Sequence, residues 1–295
     1  MVKKTLYFQN PCHLSIKDLQ LVITRKDSGE VITRPAEDLG VILLDHQQIT
    51  ITQSVLQLLS EHNVAVIVCD KSHHPKSMLL HLDSHQTETE LFRYQINASQ
   101  PFKKKLWQQT IKQKIRNQAN LLDWAGKDGN PVRYLAKKVK SGDTENHEAI
   151  AARIYWPSLF GSDFQRRRVG AYPNNLLNYG YALLRSAVAK GLMGSGLLPT
   201  LGIHHRNKYN SYCLADDIME PYRPYVDMMV FEMWENGQGN EQLSNDDKKN
   251  LLSLFVVDVM IAGLQRPLLD AVSMTTSSLS RCFCGKESTI RYPEL

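Results

Sequence analysis

Val64-Ala65-Val66-Ile67-Val68 is an unbroken apolar run of strand length. A run of this kind fits a strand buried on both faces rather than one that alternates between core and solvent. On its N-terminal side the texture stays β-rich. Val41-Ile42-Leu43-Leu44 and Ile49-Thr50-Ile51-Thr52 are two more short strands, and Ser54 to Leu59 reads as a short helix. Further back, Leu19, Leu21 and Ile23 alternate with Gln20, Val22 and Thr24; Asp27-Ser28-Gly29 supplies turn chemistry and Val31-Ile32-Thr33 returns, which is a hairpin pattern. On the C-terminal side the pattern changes. Ser72-His73-His74-Pro75 is loop-like, Asp83 to Glu88 is polar, and from about Leu91 apolar residues recur at helical spacing. Trp107, Ile111, Ile115 and Leu122 are separated by Lys, Arg and Gln, and Leu183, Val188 and Leu192 follow in an Ala-rich stretch. Leu251, Leu254, Phe255, Val257 and Ile261 predict a strong late helix, and Ser277 to Leu295 a partly ordered tail. The expected fold class is α+β: a small N-terminal β-rich domain, residues 1–85, followed by a larger all-α domain, residues 86–295.

Composition narrows the classes. The 295 residues are 42% apolar and 22% charged, ordinary for a globular protein and unlike a disordered or fibrous chain. Leu251 to Leu264, the longest apolar stretch, is broken by Ser253 and Asp258 and is too short to span a bilayer. No apolar segment follows Lys3 and Lys4, so no signal peptide is expected. Five cysteines are few and odd in number, which fits a reducing cytoplasm better than a disulfide scaffold. The net charge of +5 hides two opposed parts. Pro101 to Gly170 carries 15 Lys and Arg against 6 Asp and Glu, while Asp216 to Asp247 carries nine acids and one base, Arg223. A basic stripe of that kind is the footprint of a polyanion partner or a set of solvated helix faces.

The densest polar cluster is Gly202-Ile203-His204-His205 followed by Asp216-Asp217-Ile218-Met219-Glu220. Asp217 and Glu220 are three apart, so on a helix they share a face. Two carboxylates and an imidazole suit Mg²⁺ or Mn²⁺, the imidazole favouring Mn²⁺; zinc draws on more His or Cys. Acids at a helix start are also ordinary dipole partners. Glu148 stands at the start of a helix that Thr144 or Asp143 can cap, with Ala residues around it that leave room for a bulky neighbour. Arg166-Arg167-Arg168, about five helical turns further if the helix continues, is a natural phosphate clamp or a surface salt-bridge patch. Cys282 and Cys284 lack a second pair and a nearby His, which speaks against zinc. Gly191, Gly194 and Gly196 resemble a dinucleotide fingerprint only superficially, since no strand precedes them.

Four ordered segments, spanning nearly the whole chain, resemble one family. They are Val41 to Asp45 with Ile49 to Thr52 and Val64 to Asp70; Glu148-Ala149-Ile150-Ala151-Ala152-Arg153-Ile154-Tyr155-Trp156; Asn174-Asn175-Leu176-Leu177-Asn178-Tyr179-Gly180-Tyr181-Ala182-Leu183-Leu184; and Gly202 to His205 through Leu214-Ala215-Asp216-Asp217-Ile218-Met219-Glu220-Pro221-Tyr222-Arg223-Pro224. Together they resemble the CRISPR-associated adaptation integrase, the larger of the two proteins universal to spacer acquisition. The His204-His205 and Asp216-Asp217 doublets look most like the version found with single-protein (type II) effector systems.

The resemblance implies a metal-dependent DNA endonuclease and integrase for CRISPR antiviral defence. Its metal and catalytic residues would be Glu148, His205 and Glu220, holding Mn²⁺ or Mg²⁺, with Asp217 as an auxiliary acid and His204 the less favoured imidazole. The implied reaction is attack of a fragment's 3′-OH on a phosphodiester at the edge of a repeat, with the cation stabilising charge on the phosphate. Lys103, Lys104, Lys105, Lys137, Lys138, Arg166, Arg167 and Arg168 are the candidates for contacting DNA. Tyr155, Tyr209 and Tyr212 are candidates to stack on bases, against core packing as the commoner role. The family further implies that residues 1–85 dimerise, that residues 86–295 carry catalysis, and that the homodimer assembles with a small ferredoxin-like adaptation protein, double-stranded fragments and repeat DNA, in the cytoplasm. Two readings compete: a stand-alone metal-dependent nuclease on branched DNA, using the same residues but hydrolysing with water, and a non-catalytic DNA-binding scaffold that kept the fold and lost the chemistry, which the joint presence of Glu148, His205 and Glu220 argues against.

Overall fold

Short β-branched runs and tight turns organise the N-terminal region into two sheets, seen in a computed structural model that describes residues 3–79 and 87–295. In chain order the elements are β1 (Lys4–Phe8), β2 (Cys12–Lys17), β3 (Gln20–Arg25), β4 (Val31–Pro35), β5 (Leu39–Leu44), β6 (Thr50–Ile51), α1 (Gln53–Glu61), β7 (Ala65–Cys69) and β8 (Pro75–Leu79). One sheet has the order β4-β3-β2-β6 and the other β1-β5-β7-β8. β1, β5 and β7 run parallel, with Val41 opposite Ala65 and Leu44 opposite Val68. The hairpin β3–β4 turns through Gly29 as its sequence predicts, while Leu19 sits with Asp18 in the left-handed β2–β3 turn rather than in a strand.

The apolar runs of β5 and β7 are explained by burial on both sides. Ile42 and Val66 face a core shared with Leu14, Leu21, Val55 and Leu59 of the other sheet and α1. Val41, Leu43, Ala65 and Ile67 face the larger core of the helical part. The sheet β1-β5-β7-β8 is therefore the layer on which the helices rest.

The helical part comprises α2 (Glu88–Asn97), α3 (Gln100–Trp124), α4 (Asn130–Lys138), α5 (His147–Phe160), α6 (Asn174–Gly194), α7 (Cys213–Ile218), α8 (Arg223–Glu235) and α9 (Asn245–Leu252), then β9 (Asp258–Ile261), β10 (Leu264–Pro267), α10 (Leu268–Phe283) and β11 (Pro293–Glu294). α3 starts at Ser99, whose hydroxyl accepts from the Phe102 N–H, with Pro101 in the first turn where a missing N–H costs nothing. It buries Leu106, Trp107, Ile111, Ile115, Ala119 and Leu122. α6 packs close to α10 at Gly191, where a Cβ would lie 2.9 Å from Val272 Cγ1. That close approach, not a nucleotide, accounts for this glycine.

Three expectations are corrected. The late helix stops at Leu252; a 3₁₀ turn follows and β9 begins at Asp258, forming the three-stranded sheet β10-β9-β11. Ala262 and Gly263, both left-handed, make the two-residue turn between β9 and β10. The segment expected to be a loose tail is α10 plus an ordered strand: Tyr292 is buried, its hydroxyl 2.8 Å from Thr110 Oγ1. Finally, α5 ends at Phe160 before left-handed Gly161, so Arg166 to Arg168 lie in the following loop and not on a continued helix.

The expected domain boundary at 85–86, and the polar stretch Asp83 to Glu88 up to residue 86, lie outside the described residues. All five cysteines are free. Burial pushes the Cys282 thiol up to about 11, so it is not poised as a thiolate. Among the described residues, no helix is long and apolar enough to cross a membrane.

Candidate metal centre and nucleic-acid surface

The first turn of α5 carries Glu148. Its orphan N–H groups are satisfied by Asp143, whose two carboxylate oxygens accept from the His147 and Glu148 backbone at 2.9 and 3.0 Å. Of the two capping candidates, Asp143 does the capping. Glu220 stands where α7 gives way to a 3₁₀ turn, Glu220 to Tyr222, held by Pro221 and leading into α8. Its side chain is 4% exposed.

These two acids, 72 positions apart, meet at a single lysine that the sequence reading passed over. Lys114 on α3 places its Nζ 2.5 Å from Glu148 Oε1 and 2.6 Å from Glu220 Oε2. On its other oxygen, Oε1, Glu220 holds Arg223 Nε at 2.9 Å. Burial alone would raise the Glu220 pKa, but Arg223 and Lys114 outweigh it and hold the carboxyl below its ordinary range. Burial likewise opposes the Lys114 charge, and Glu220 and Glu148 overcome it, so the ammonium stays protonated. One turn on, Asn117 donates to the Pro221 and Pro293 carbonyls at 2.8 and 3.0 Å, fixing the Glu220 turn to α3.

Asp217 has a different task. It is fully buried, and its Oδ2 accepts from the Ile203 and His204 N–H groups at 2.7 and 2.9 Å. Its Oδ1 accepts from the His205 N–H at 3.2 Å and lies 2.6 Å from His205 Nδ1. A carboxylate can only accept, so Nδ1 carries the proton and Nε2 is left as the ring nitrogen with a lone pair. The Asp217 hydrogen bond raises the His205 pKa. His204 is instead stacked on Trp107, ring centroids 4.1 Å apart and planes nearly parallel, and burial lowers its pKa. Gly202 makes this loop feasible: a Cβ there would lie 2.4 Å from the His205 carbonyl oxygen and 2.9 Å from Asp217 Oδ2. Gly202→Ala should therefore swing His205 away and weaken metal affinity by roughly 10–100-fold, the range for losing an orienting partner, as read by Mn²⁺ titration.

Among the described residues, no three His, Cys, Asp or Glu side chains are gathered closely enough to hold a metal ion. Glu148 and Glu220 are brought together around an ammonium. His205 adjoins them through Asp217, and it feels the Glu220 charge. The donor chemistry nevertheless fits a hard divalent cation. Two carboxylates already share one positive charge, and the nearby imidazole keeps one ring nitrogen with a lone pair.

The surroundings suit a polyanion. A cleft of about 590 Å³ beside His205 is lined by Lys103, Arg206, Lys208 and Asn210. A second, of about 400 Å³, is lined by Lys76, Arg185, Tyr209 and Tyr212. Of the eight basic residues expected from sequence, Lys103 lines the first cleft. Lys104, Lys105, Lys137, Lys138, Arg167 and Arg168 are exposed elsewhere on α3, α4 and the loop after α5. Arg166 departs from expectation and is turned inward. It donates to Asn174 Oδ1 and Asn178 Oδ1 at 3.1 and 2.7 Å, and it stacks on Tyr181, as Arg223 does. Tyr155 is also corrected: it is buried and donates to Asp227 at 2.8 Å, so it meets no base, whereas Tyr209 is 83% exposed. Burial lifts the Asp227 pKa to about 6, with hydrogen bonds from Tyr181 and Tyr155 opposing the rise. Arg206, Lys208 and Arg185 escaped notice because they fall outside the basic stretch 101–170.

Comparison with known proteins follows the same lines. Residues 6–255 match the family described as CRISPR associated protein Cas1. The CRISPR-associated endonuclease Cas1 of Neisseria meningitidis serogroup C is 36% identical over all of this chain and 97% of its own length. Two solved structures share the fold at 20% identity. A casposase bound to integration product has a TM-score of 0.81, covering 98% of this chain and 92% of its own. A Cas6-RT-Cas1–Cas2 complex has a TM-score of 0.71, covering 97% of this chain and 35% of the matched one.

Proposed function

The chain belongs to the Cas1 family of CRISPR-associated proteins, and from that premise we propose that it is a metal-dependent DNA endonuclease and integrase that joins short DNA fragments to a repeat array. The observation that carries the reading is the convergence of Glu148 and Glu220 on one cation position, with His205 oriented beside it by Asp217.

Glu148, Glu220 and His205 Nε2 are the residues that would hold Mn²⁺ or Mg²⁺. A divalent ion there would neutralise charge developing on a phosphate and lower the pKa of an attacking hydroxyl. The protein's own part is positional. Asp217 fixes the imidazole, Asn117 and Pro221 fix the Glu220 turn, and Arg223 stays beside Glu220 as a permanent counter-charge. Lys103, Arg206 and Lys208 receive backbone phosphates beside His205. In joining, a fragment's 3′-oxygen bonds to a repeat phosphorus, the bond to the repeat's own 3′-oxygen breaks, and that oxygen leaves as a hydroxyl. One phosphodiester forms for each one lost, so no energy source is required. Hydrolysis is the same displacement with water.

The reading includes a homodimer and a small ferredoxin-like partner. Leu19 and Val31 leave apolar surface exposed on the β-rich region, where a second copy can pack. The Cas2-containing assembly that shares this fold is the support for the partner. The deciding experiment combines the chain with a labelled duplex fragment, a supercoiled repeat plasmid and the small partner. Joined product is expected with Mn²⁺ or Mg²⁺ and none in EDTA; joining in EDTA would reject the reading. If roughly six basic side chains contact phosphate, log affinity should fall with log salt at a slope of about −5. Arg167→Ala with Arg168→Ala should flatten that slope by about 2 if both contact phosphate. An unchanged slope would remove this pair from the DNA surface.

A further inference from the structure

The metal site already contains a cation, and it belongs to the protein. Both Glu220 oxygens are engaged, Oε1 by Arg223 and Oε2 by Lys114, and Lys114 also engages Glu148 Oε1. Lys114 is mostly shielded, its side chain 11% exposed. Counting these four groups, two carboxylates face one ammonium and one guanidinium, so the unit is charge-balanced without a metal.

A divalent ion cannot simply be added. Mg²⁺ would take carboxylate oxygens at about 2.1 Å, and an ammonium already 2.5 and 2.6 Å from the same oxygens would compete with it for them as a like charge. One of the two basic groups has to give way. Arg223 is the poorer candidate. Its guanidinium lies 4.6 Å from the Tyr181 ring centroid, with Arg166 on the same ring at 5.1 Å, and its backbone is fixed as the first residue of α8. Lys114 is a point charge on a flexible four-carbon stem, the group that moves at least cost.

From this geometry we infer that Lys114 is a resident cation that occupies the metal position in the metal-free protein and leaves when a divalent ion binds. It has three consequences. Before loading, Lys114 holds Glu148 and Glu220 at a shared point, so the carboxylates are neither left unpaired nor driven apart. During loading it is a built-in competitor that sets a floor on the metal concentration at which the site fills. After displacement the two carboxylates face the metal ion and Arg223, a net positive cluster that attracts phosphate.

The inference rests on the metal-dependent reading above, and the test separates the two. Chelator-stripped full-length protein is titrated with Mn²⁺, free Mn²⁺ being followed by electron paramagnetic resonance. Wild type, Lys114→Met, Lys114→Gln and Glu220→Gln are compared. Both Lys114 variants should bind Mn²⁺ at least tenfold more tightly than wild type, and each should melt lower without metal and regain stability when it is added. Glu220→Gln should bind more weakly. In wild type, acylation of Lys114 by a small amine-reactive acyl donor such as acetic anhydride, which releases acetate, should rise on Mn²⁺ addition as read by mass spectrometry; this readout needs no variant. Equal or weaker Mn²⁺ binding by folded Lys114 variants, or unchanged Lys114 acylation, would overturn the inference while leaving the metal site standing. No Mn²⁺ binding by wild type would overturn the metal reading and this inference with it.

Discussion

His205→Ala is expected to reduce metal-dependent joining and cleavage by roughly 10³-fold, about 4 kcal/mol of barrier. The reasoning starts from what the substitution leaves intact. His205 is about half exposed, and Asp217 keeps three backbone N–H donors, from Ile203, His204 and position 205, after the ring is gone. The loop therefore keeps its buried anchor, and the protein should fold and melt near wild type. What is lost is the ring nitrogen that Asp217 leaves with a free lone pair near Glu220, hence one of the three proposed donors for the cation. Glu220→Gln should match it in activity but not in stability. It removes the counter-charge of Lys114 and Arg223, so a lower melting temperature is expected alongside lost product. The two variants together separate a donor from a donor that is also structural. Wild-type levels of joined product from His205→Ala would remove His205 from the site, and attention would pass to His204, now stacked on Trp107.

Much of this arrangement was legible in the residues, and the misses have physical causes. The two-sided burial of Val64 to Ile67 is readable because a strand that meets core on both faces has no need to alternate, although Val68 at its end is exposed. Glu148, His205 and Glu220 stand out by residue type and motif. Their convergence does not, because nothing local in a sequence records that α3 passes between residues 148 and 220. Lys114 left one usable trace. Trp107, Ile111, Lys114, Gln118 and Leu121 recur three or four apart on α3, and a lysine on that stripe has to be neutralised inside the protein. In a stretch already rich in Lys and Arg, that trace is easily read as solvated surface.

Leu251 to Ile261 misled for a related reason. Its apolar positions satisfy a helical period up to Leu254 and Phe255, and a strand period at Val259 and Ile261, with Val257 extended between. The left-handed Ala262-Gly263 pair was the local sign of a hairpin. The C-terminal segment looked like a tail because, beyond α10, its few buried apolar residues, Ile290 and Tyr292, are supplemented by polar anchors. Gln109 bonds Ser288 and Ile290, and Asn120 bonds the Leu295 carbonyl. Hydrophobic periodicity cannot see such anchors.

Lys248→Met should cost about 3–5 kcal/mol of stability, the penalty for leaving a buried charge without its partner. Lys248 on α9 reaches 203 residues back to Asp45 at the end of β5, Nζ to Oδ2 at 3.1 Å. The side chains are 5% and 1% exposed. Asp45 is further bonded by Tyr7 at 2.6 Å and by His73 at 2.8 Å. This is the buried ionic tie between the β-rich region and the helices. It holds because α9 starts at a capping box, Ser244 with Asp247, that fixes the register of the next residue. Removing Lys248 strands Asp45 among groups that hydrogen-bond it but do not neutralise it. A melting temperature lower by roughly 5–15 °C is the corresponding readout. Adding Asp45→Asn should recover most of the loss, since an amide keeps Tyr7 and His73 as partners and carries no charge to strand. If Lys248→Met unfolds within 1 kcal/mol of wild type, the tie adds nothing, and the two regions are held mainly by the apolar contacts of Val41, Leu43, Ala65 and Ile67. Neither Asp45 nor Lys248 contacts Glu148, His205 or Glu220, so the destabilised variant should retain joining activity below its melting point. That separates a protein weakened at its junction from one disarmed at its metal site.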